Sequence, residues 1–342
     1  MTKKKFCLIA SVCLVFLTLT GCSNGTEADS YSTTVFAMDT VMELKVYGNE
    51  EPLEEAKNLI LELEEKLSAT SPQSDIYNLN QNGSGAVSPD TYELLQSSLA
   101  LCERSKGALD ISIYPVVQAW GFTTDEKRVP SEAELAKLLK LVDYKAINID
   151  KKRIVTLAPE MKIDLGSVAK GYTGNRLVDL LSERGITSAV LNLGGNVHVI
   201  GTKPDGTAWS VGISNPAGEG YAGVVEAVDK AVVTSGGYER FFEQDGIRYH
   251  HIIDPSTGYP VSNSLLSVTV VGDDGLVCDA LSTALFVMGE DKAAKLWNES
   301  NDFEAVFITT QGISITEGLE DAFSPLGDYE NTKLTVLRRD GK

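Results

Sequence analysis

Cysteine and histidine are scarce in this chain of 342 residues, which contains five cysteines and three histidines. Cys7, Cys13 and Cys22 fall within the first 22 residues, so the rest of the chain holds Cys102 and Cys278 alone. Two cysteines in a domain of this length exclude a disulfide scaffold, and they lack the paired spacing of a structural zinc site. The domain must therefore be stabilised by a hydrophobic core, for which its length is ample.

Basic residues are outnumbered as well, with 30 Lys and Arg against 48 Asp and Glu. The formal net charge is −18, and removal of the three lysines at positions 3–5 would leave −21. So acidic a surface argues against nucleic acid as a partner and against attraction to anionic lipid. No Gly-x-Gly-x-x-Gly follows a strand pattern and no Walker-type Gly-Lys-Ser/Thr is present, so neither nucleotide-binding fingerprint is predicted.

The amino terminus has the pattern of a secretion signal. Three lysines precede an apolar run from Phe6 to Leu19, which is too short to span a bilayer comfortably. The run ends in Leu19-Thr20-Gly21-Cys22, which resembles a lipobox; an ordinary signal peptide with an incidental cysteine is the alternative. We expect a signal at residues 1–21, a lipidated Cys22 with a flexible tether at 22–34, and one domain at 35–342. The protein would then be exported and anchored by lipid to the outer face of the cytoplasmic membrane.

The domain itself shows both strand and helix patterns. Apolar and polar residues alternate from Val41 to Tyr47, and apolar residues recur at helical spacing from Leu53 to Leu67. Ser131 with Glu134 has the spacing of a capping box and predicts a second helix. Further on, short β-branched runs are separated by Gly, Asn, Asp and Pro turns at residues 189–193, 197–200, 209–213, 224–228, 231–234, 266–271 and 305–309. This order predicts an α+β fold with mainly antiparallel strands.

Asp279 and Thr283 are the first candidate site. They lie four residues apart in a helical pattern, so both oxygens leave one face of the helix. Two hard oxygen ligands suit Mg2+, which completes its shell with waters and substrate phosphates. The alternatives are an aspartate that caps the helix start and a threonine that fills the core.

A second candidate site lies at a predicted helix start in the segment Asp164-Leu-Gly-Ser167-Val-Ala-Lys170. Free backbone N–H groups and the positive end of the helix dipole favour a phosphate there, and Lys170 would neutralise it. Gly194 and Gly195, between two strand patterns, permit close approach of a ligand, although a tight hairpin turn explains them equally well.

His251 precedes a rigid turn containing Asp254 and Pro255. The residue is either a buried, hydrogen-bonded structural group or a general base that acts near neutral pH. His198, within a strand pattern, and His250, which points to the opposite face, are weaker candidates.

Taken in order, these segments resemble the ApbE family of FAD:protein FMN transferases, from Ala37-Met38-Asp39-Thr40 to about Gly289. The resemblance implies a duplicated T-fold-like α+β domain that transfers FMN from FAD to a Thr or Ser hydroxyl of a partner protein and releases AMP. It implies Mg2+ held by Asp279, Thr283 and Ser167, the last through its carbonyl, and His251 as the base. The FAD contacts that it implies are Met38, Thr70, Ala108, Leu109, Asp110, Asp164, Lys170 and Ile253.

Thr70 departs from the family pattern, because many relatives have an aromatic residue there that can stack on a flavin or adenine ring. Two other functions use the same residues: an FAD pyrophosphatase in which water replaces the protein hydroxyl, and a lipoprotein that binds flavin without catalysis.

Overall fold

The computed structural model describes residues 28–124 and 126–340. The expected signal, Cys22 and the first part of the tether lie outside these residues. Within them, no helix is both long and apolar enough to cross a bilayer.

Seventeen strands are described, and nine of them form one sheet. The strands are β1 (Ser30–Ala37), β2 (Thr40–Tyr47), β3 (Ser84–Ala86), β4 (Asn148–Ile149), β5 (Ile154–Thr156), β6 (Ala189–Leu193), β7 (Asn196–Ile200), β8 (Trp209–Ser214), β9 (Tyr221–Ala227), β10 (Ala231–Gly236), β11 (Phe241–Gln244), β12 (Ile247–His250), β13 (Leu265–Gly272), β14 (Phe303–Thr309), β15 (Gly312–Thr316), β16 (Phe323–Pro325) and β17 (Leu334–Leu337). The large sheet has the order β1-β2-β6-β7-β10-β13-β14-β15-β17. Its pairs are antiparallel except for β15 with β17.

Eight α-helices are described in the same residues. They are α1 (Pro52–Leu67), α2 (Asp75–Asn82), α3 (Pro89–Arg104), α4 (Tyr114–Ala119), α5 (Glu132–Leu138), α6 (Ala169–Glu183), α7 (Gly275–Met288) and α8 (Glu290–Asn298). Helices α1, α6 and α7 pack side by side on one face of the large sheet. Its other face packs on the small sheet β16-β9-β8 through a second apolar cluster. The site described below lies at the end of the sheet where α6 and α7 begin.

The local patterns explain most of these elements. Alternation buries every second residue of β2 from Met42 to Val46, and helical spacing buries one face of α1. Ser131 caps α5 by accepting a hydrogen bond from the Glu134 amide at 3.2 Å. The Glu134 carboxylate pairs with Arg128 instead of returning to the cap, so half of the predicted capping box forms. The seven predicted strand runs all fall within observed strands to within two residues.

The predicted tether is wrong from Ser30 onwards. Residues Ser30–Thr34 form the first part of β1, which pairs in antiparallel register with β2 from Ser30↔Tyr47 to Ala37↔Thr40. Their side chains are polar and largely exposed, which is tolerated on an edge strand because backbone pairing supplies the hydrogen bonds. The fold therefore opens with a β-hairpin rather than with a single strand.

Candidate active site

Helices α6 and α7 approach each other unusually closely where each begins. A Cβ atom on Gly171 would overlap the Gly275 carbonyl oxygen and the Cβ of Asp279. Glycine is therefore required at position 171, because it removes the side chain that would keep the two backbones apart. The contact brings the first turn of α6 against the second turn of α7.

Asp279 lies inside this contact and is 4% exposed. Its Oδ2 accepts a hydrogen bond from the Gly171 amide at 2.8 Å. Burial raises the pKa of the Asp279 carboxyl, and the positive charge of Lys170 opposes that shift. The helix is capped by Asp274, whose carboxylate accepts from the Leu276 amide at 2.9 Å, so the alternative of Asp279 as a capping residue is excluded.

The same hydrogen bond changes the start of α6. In a regular helix the Gly171 amide would bond to the Ser167 carbonyl four residues back, but here it is given to Asp279. The Ala169 amide bonds to the Leu165 carbonyl at 2.8 Å and the Tyr172 amide to the Val168 carbonyl at 3.1 Å, so the ladder is interrupted at Gly171. Within the described residues the Ser167 carbonyl therefore accepts no helical hydrogen bond, which leaves it available to a ligand.

Thr283 lies one turn beyond Asp279 on α7 and is half-buried. Its hydroxyl is 3.2 Å from the hydroxyl of Ser235 on β10. Carboxylate, carbonyl and hydroxyl oxygens are the donors that Mg2+ prefers, so the residues present fit that ion. No group of three or more His, Cys, Asp or Glu side chains arranged for a metal occurs in the described part of the chain.

The start of α6 also gathers charge. Lys170 is its second residue, and its positive charge acts on Asp279, on Glu239 and on His251. Asp164 lies just before the helix, where its Oδ2 accepts from the Gly166 amide at 3.2 Å. Burial raises the pKa of Asp164, while the Arg240 guanidinium opposes the shift. A lysine beside a helix start is the environment that an anionic phosphate requires.

Two hairpin turns lie next to this helix start. Met38 and Asp39 join β1 to β2 with φ of 50° and 59°, a left-handed conformation that is strained for residues other than glycine. Gly194 and Gly195 join β6 to β7 with φ of 68° and 89°, so the hairpin interpretation of these glycines is correct. A Cβ on Gly194 would overlap Thr40, which shows how closely the turns approach. Strained backbone that persists beside a charged cluster indicates a functional surface.

His251 is half-buried at the end of β12. Its Nδ1 is 3.2 Å from the Arg240 carbonyl oxygen. A carbonyl can only accept, so Nδ1 carries the proton and Nε2 presents a lone pair. Desolvation, followed by the positive charge of Arg240, lowers the pKa of His251 to about 3, which keeps the ring neutral at pH 7. The residue is therefore hydrogen-bonded through Nδ1, while its Nε2 has no hydrogen-bond partner in the described part of the chain.

The other two histidines use their nitrogens within the fold. His250 Nε2 is 3.0 Å from the Val261 carbonyl oxygen, and its Nδ1 accepts from the Ile252 amide at 3.3 Å. His198 is 2% exposed, and its Nε2 is 2.9 Å from Oδ1 of Asn196.

Two charged residues of the site, Arg240 and Glu239, escaped prediction from the sequence. Arg240 lies 4.0 Å from Asp39 in an ion pair that ties β11 to the first hairpin turn. Glu239 lies at the open rim, where desolvation by the surrounding protein and the charge of Asp279 raise its pKa to about 7. The signal that could have revealed them is the sequence Gly236-Gly-Tyr-Glu-Arg240, in which two glycines and two charges directly follow a strand.

The remaining predicted contacts lie around this centre. Asp110 is 7% exposed, and its carboxylate is taken up by the Ser112 amide and hydroxyl and by the Tyr144 amide. Ala108 and Leu109 pack in the largest apolar cluster. The Asp164 amide donates to the Ile111 carbonyl at 2.8 Å, which joins this loop to the start of α6.

Two further predicted contacts have different surroundings. Ile253 is 7% exposed in the cluster of Val116, Trp120 and Phe122, so it would offer its backbone to a ligand. Met38 is half-buried, and its amide donates to Glu64 Oε1 at 2.7 Å. Thr70 is exposed, with Ser68 as its hydrogen-bond partner.

The chain was compared with known proteins. A model of the ApbE family matches residues 38–307. A Klebsiella pneumoniae (strain 342) protein named FAD:protein FMN transferase is 33% identical over 305 residues, covering 86% of this chain and 95% of the relative. One of that name from Treponema pallidum (strain Nichols) is 35% identical over 313 residues, covering 84% and 86%.

The structural comparison agrees. The crystal structure of the ApbE protein of Thermotoga maritima superposes with a TM-score of 0.81 at 32% identity, over 86% of this chain and 99% of that one. The Pseudomonas stutzeri flavinyl transferase ApbE, in its apo form, gives a TM-score of 0.77 at 27% identity, over 90% and 98%. The predicted α+β fold and the predicted resemblance are both confirmed, and the chain belongs to the ApbE family of transferases.

Proposed function

We propose that this protein transfers FMN from FAD to a Thr or Ser hydroxyl of a partner protein, in a reaction that requires Mg2+ and releases AMP. The names of its relatives support flavin transfer. The observation that carries the proposal is the hydrogen bond from the Gly171 amide to Asp279, because it orients a buried carboxylate and frees the Ser167 carbonyl beside it.

The proposed Mg2+ ligands are the Asp279 carboxylate, the Thr283 hydroxyl and the Ser167 carbonyl. When bound, the ion would offset the negative charge of the diphosphate and so permit approach of an oxygen nucleophile. Lys170 and the start of α6 would hold the diphosphate from the other side. The proposed FAD contacts are Met38, the loop from Ala108 to Asp110, Asp164, Lys170, Ile253 and Thr70.

His251 acts as the base in this proposal. Its Nε2 accepts the proton of the acceptor hydroxyl as that oxygen bonds to the phosphorus of the FMN half. The bond between that phosphorus and the bridging oxygen breaks, and AMP leaves with the electron pair. The Arg240 carbonyl holds the proton on Nδ1 and so keeps Nε2 unprotonated. General base catalysis of this kind contributes about 10²–10⁴-fold.

The cellular place of the reaction follows from the amino-terminal pattern. We propose that Cys22 carries lipid and that the domain is exported to the outer face of the cytoplasmic membrane. Residues 22–29 would then be the tether, since β1 begins at Ser30. Eight residues reach about 25 Å when extended.

The proposal is tested by incubating the purified protein with FAD, Mg2+ and a candidate acceptor protein. Flavin fluorescence that stays on the acceptor in a denaturing gel demonstrates transfer. Free FMN with AMP and no labelled acceptor would show a pyrophosphatase, and intact FAD that co-elutes with the protein would show binding alone.

Replacement of His251 by Gln should lower the rate of transfer at saturating FAD by about 10²-fold or more, because the base is lost. The FAD concentration for half-maximal rate should change little. His250→Gln is the matched control, since the neighbouring ring has both nitrogens engaged within the fold. An unchanged rate in His251→Gln would leave His251 with a structural role.

A further inference from the structure

Asn196, the first residue of β7, has one side-chain atom that the fold does not satisfy. The residue is 1% exposed. Its Oδ1 lies 2.9 Å from Nε2 of His198, whereas its Nδ2 has no hydrogen-bond partner among the described residues. A buried N–H group without a partner is costly and calls for an explanation.

The neighbour of that nitrogen is Asp279. The Asn196 side chain lies close enough to the Asp279 carboxyl to act on it, although the pair does not meet the geometry of a hydrogen bond. A carboxylate that binds Mg2+ is ionised and accepts without donating, so in the proposed site the amide nitrogen is the end of Asn196 that faces Asp279. The amide oxygen then faces His198, and His198 must carry its proton on Nε2.

The imidazole of His198 is held where it can serve this role. A Cβ on Gly174 of α6 would overlap its Nε2, and a Cβ on Gly275 of α7 would overlap its Cε1. The ring therefore fills the space between the two helices, directly beside the helix turn that carries Asp279. Burial lowers the pKa of His198 to about 4, so the ring is neutral and has one N–H to give.

We propose that His198 and Asn196 are positioning residues that aim the Asp279 carboxylate at the Mg2+ site. His198 fixes the amide of Asn196, and that amide fixes one side of the carboxylate. The Gly171 amide fixes the other side by its hydrogen bond to Oδ2. Such outer partners typically contribute 10- to 100-fold to metal affinity. The inference rests on the proposed function, because that function supplies the reason for a metal at Asp279.

The test compares His198→Leu with His198→Gln in the full chain. Leucine removes the N–H that holds Asn196, whereas glutamine places an amide nitrogen close to the position of the imidazole Nε2. Mg2+ binding is measured by calorimetry in the presence of FAD, and thermal unfolding is measured without either ligand. We expect His198→Leu to weaken Mg2+ binding by about 10- to 100-fold, and His198→Gln to restore it to within a few-fold of the wild type.

A double substitution gives a second reading. If the two residues act in series, Asn196→Ala with His198→Leu should weaken Mg2+ binding no more than Asn196→Ala alone. Additive losses would contradict the series. Equal Mg2+ affinity of His198→Leu and the wild type, with reduced stability alone, would overturn the proposal and make the histidine a packing residue.

The outcomes also separate this inference from the proposed function. A wild type that binds Mg2+ through the His198-dependent site but does not label an acceptor would retain the positioning role and reject the transferase. A wild type that labels the acceptor while both His198 variants bind Mg2+ normally would reject the positioning role alone. A wild type that binds no Mg2+ would reject both.

Discussion

Asp110 and Asp279 are both buried aspartates that the sequence marked as site residues, and the structure treats them in opposite ways. Asp110 is 7% exposed and receives three hydrogen bonds, two from Ser112 in its own loop and one from the Tyr144 amide, which is distant in the chain. Asp279 is 4% exposed and receives one from the Gly171 amide, with Lys170 and Asn196 nearby. Burial alone therefore does not distinguish a structural carboxylate from a functional one; the unused acceptor capacity does.

Because Asp279 has fewer hydrogen bonds than Asp110, more of the free-energy cost of its burial is left without compensation, and this marks it as the candidate functional carboxylate. Burial raises the pKa of both carboxyls. A buried carboxylate with one hydrogen bond is nevertheless less well compensated for its loss of water than one with three. A bound cation would supply the missing compensation. Asp110 has no such need, because Ser112 donates two hydrogen bonds to its Oδ1 and the Tyr144 amide donates one to its Oδ2.

The largest expected effect, and the strongest test of this comparison, is the loss of activity in Asp279→Asn. We expect Mg2+-dependent transfer to fall by about 10²–10³-fold, because an amide replaces the charge that holds the ion. The free energy of unfolding should stay the same or rise, since a poorly solvated charge is removed. Asp273→Asn, an exposed partner of Lys230, is the control. Full activity of Asp279→Asn after chelation and restored Mg2+ would end the assignment.

The second largest effect is the loss of stability at low pH that comes from His198, the buried histidine near Asp279. Burial lowers the pKa of His198 to about 4, so between the ordinary pKa of 6.5 and that value the unfolded chain takes up a proton that the folded chain refuses. The neutral His198 makes its full contribution to the free energy of unfolding above pH 6.5. About 3 kcal/mol of that free energy is lost as the pH falls to 4. The free energy of unfolding, measured with urea at several pH values, should fall less steeply with falling pH in His198→Gln than in the wild type. Equal dependence on pH in the two proteins would show that the folded protein accepts the proton.

Asp110→Asn tests the other half of the comparison. The amide must direct an N–H group at a donor in the loop, so the free energy of unfolding should fall by about 2 kcal/mol. The transfer rate of the folded protein should change only a few-fold. Asp143→Asn is the control, because Asp143 accepts from the Lys145 amide on an exposed surface. A stable Asp110→Asn variant that no longer binds FAD would show that the carboxylate itself contacts the ligand.

The smallest effect concerns Thr70, in the loop between α1 and α2. An exposed tyrosine there could stack on a ring of FAD, which is worth about 0.5–1.5 kcal/mol, so Thr70→Tyr should bind FAD about 2- to 10-fold more tightly. Fluorescence titration measures the change, with Gln73→Tyr as a control in the same loop. Equal affinities of both variants and the wild type would place Thr70 outside the flavin site.

The fold was predictable where local pattern and tertiary environment agree. The run at residues 189–193 alternates as a strand should, and β6 has the same bounds. Ser30–Thr34 was missed because a polar edge strand has no alternating apolar signal, and its stability comes from pairing with β2. The turn at Met38 and Asp39 was also missed, since it lacks the glycine that marks most hairpin turns with positive φ; aspartate tolerates that conformation, but methionine rarely adopts it.

The site was predictable in its residues more than in its connections. Asp279, Thr283, Lys170 and His251 could be selected because charged or hydroxyl groups stand in apolar or turn-rich segments. Their roles stay predictions, and the geometry adds what no sequence pattern contains: the Gly171 amide that leaves its own helix to bond with Asp279. Arg240 was missed because its partner, Asp39, is two hundred residues away in the chain.

If Cys22 carries lipid as proposed, the path of β1 has a mechanical consequence. The strand runs from Ser30 straight to the turn at Met38 and Asp39. Eight strand residues span about 26 Å, so the reacting centre would stand at the far end of the strand from the membrane attachment. An acceptor would have to reach that height above the lipid, and any pull on the anchor would travel along this strand to the flavin.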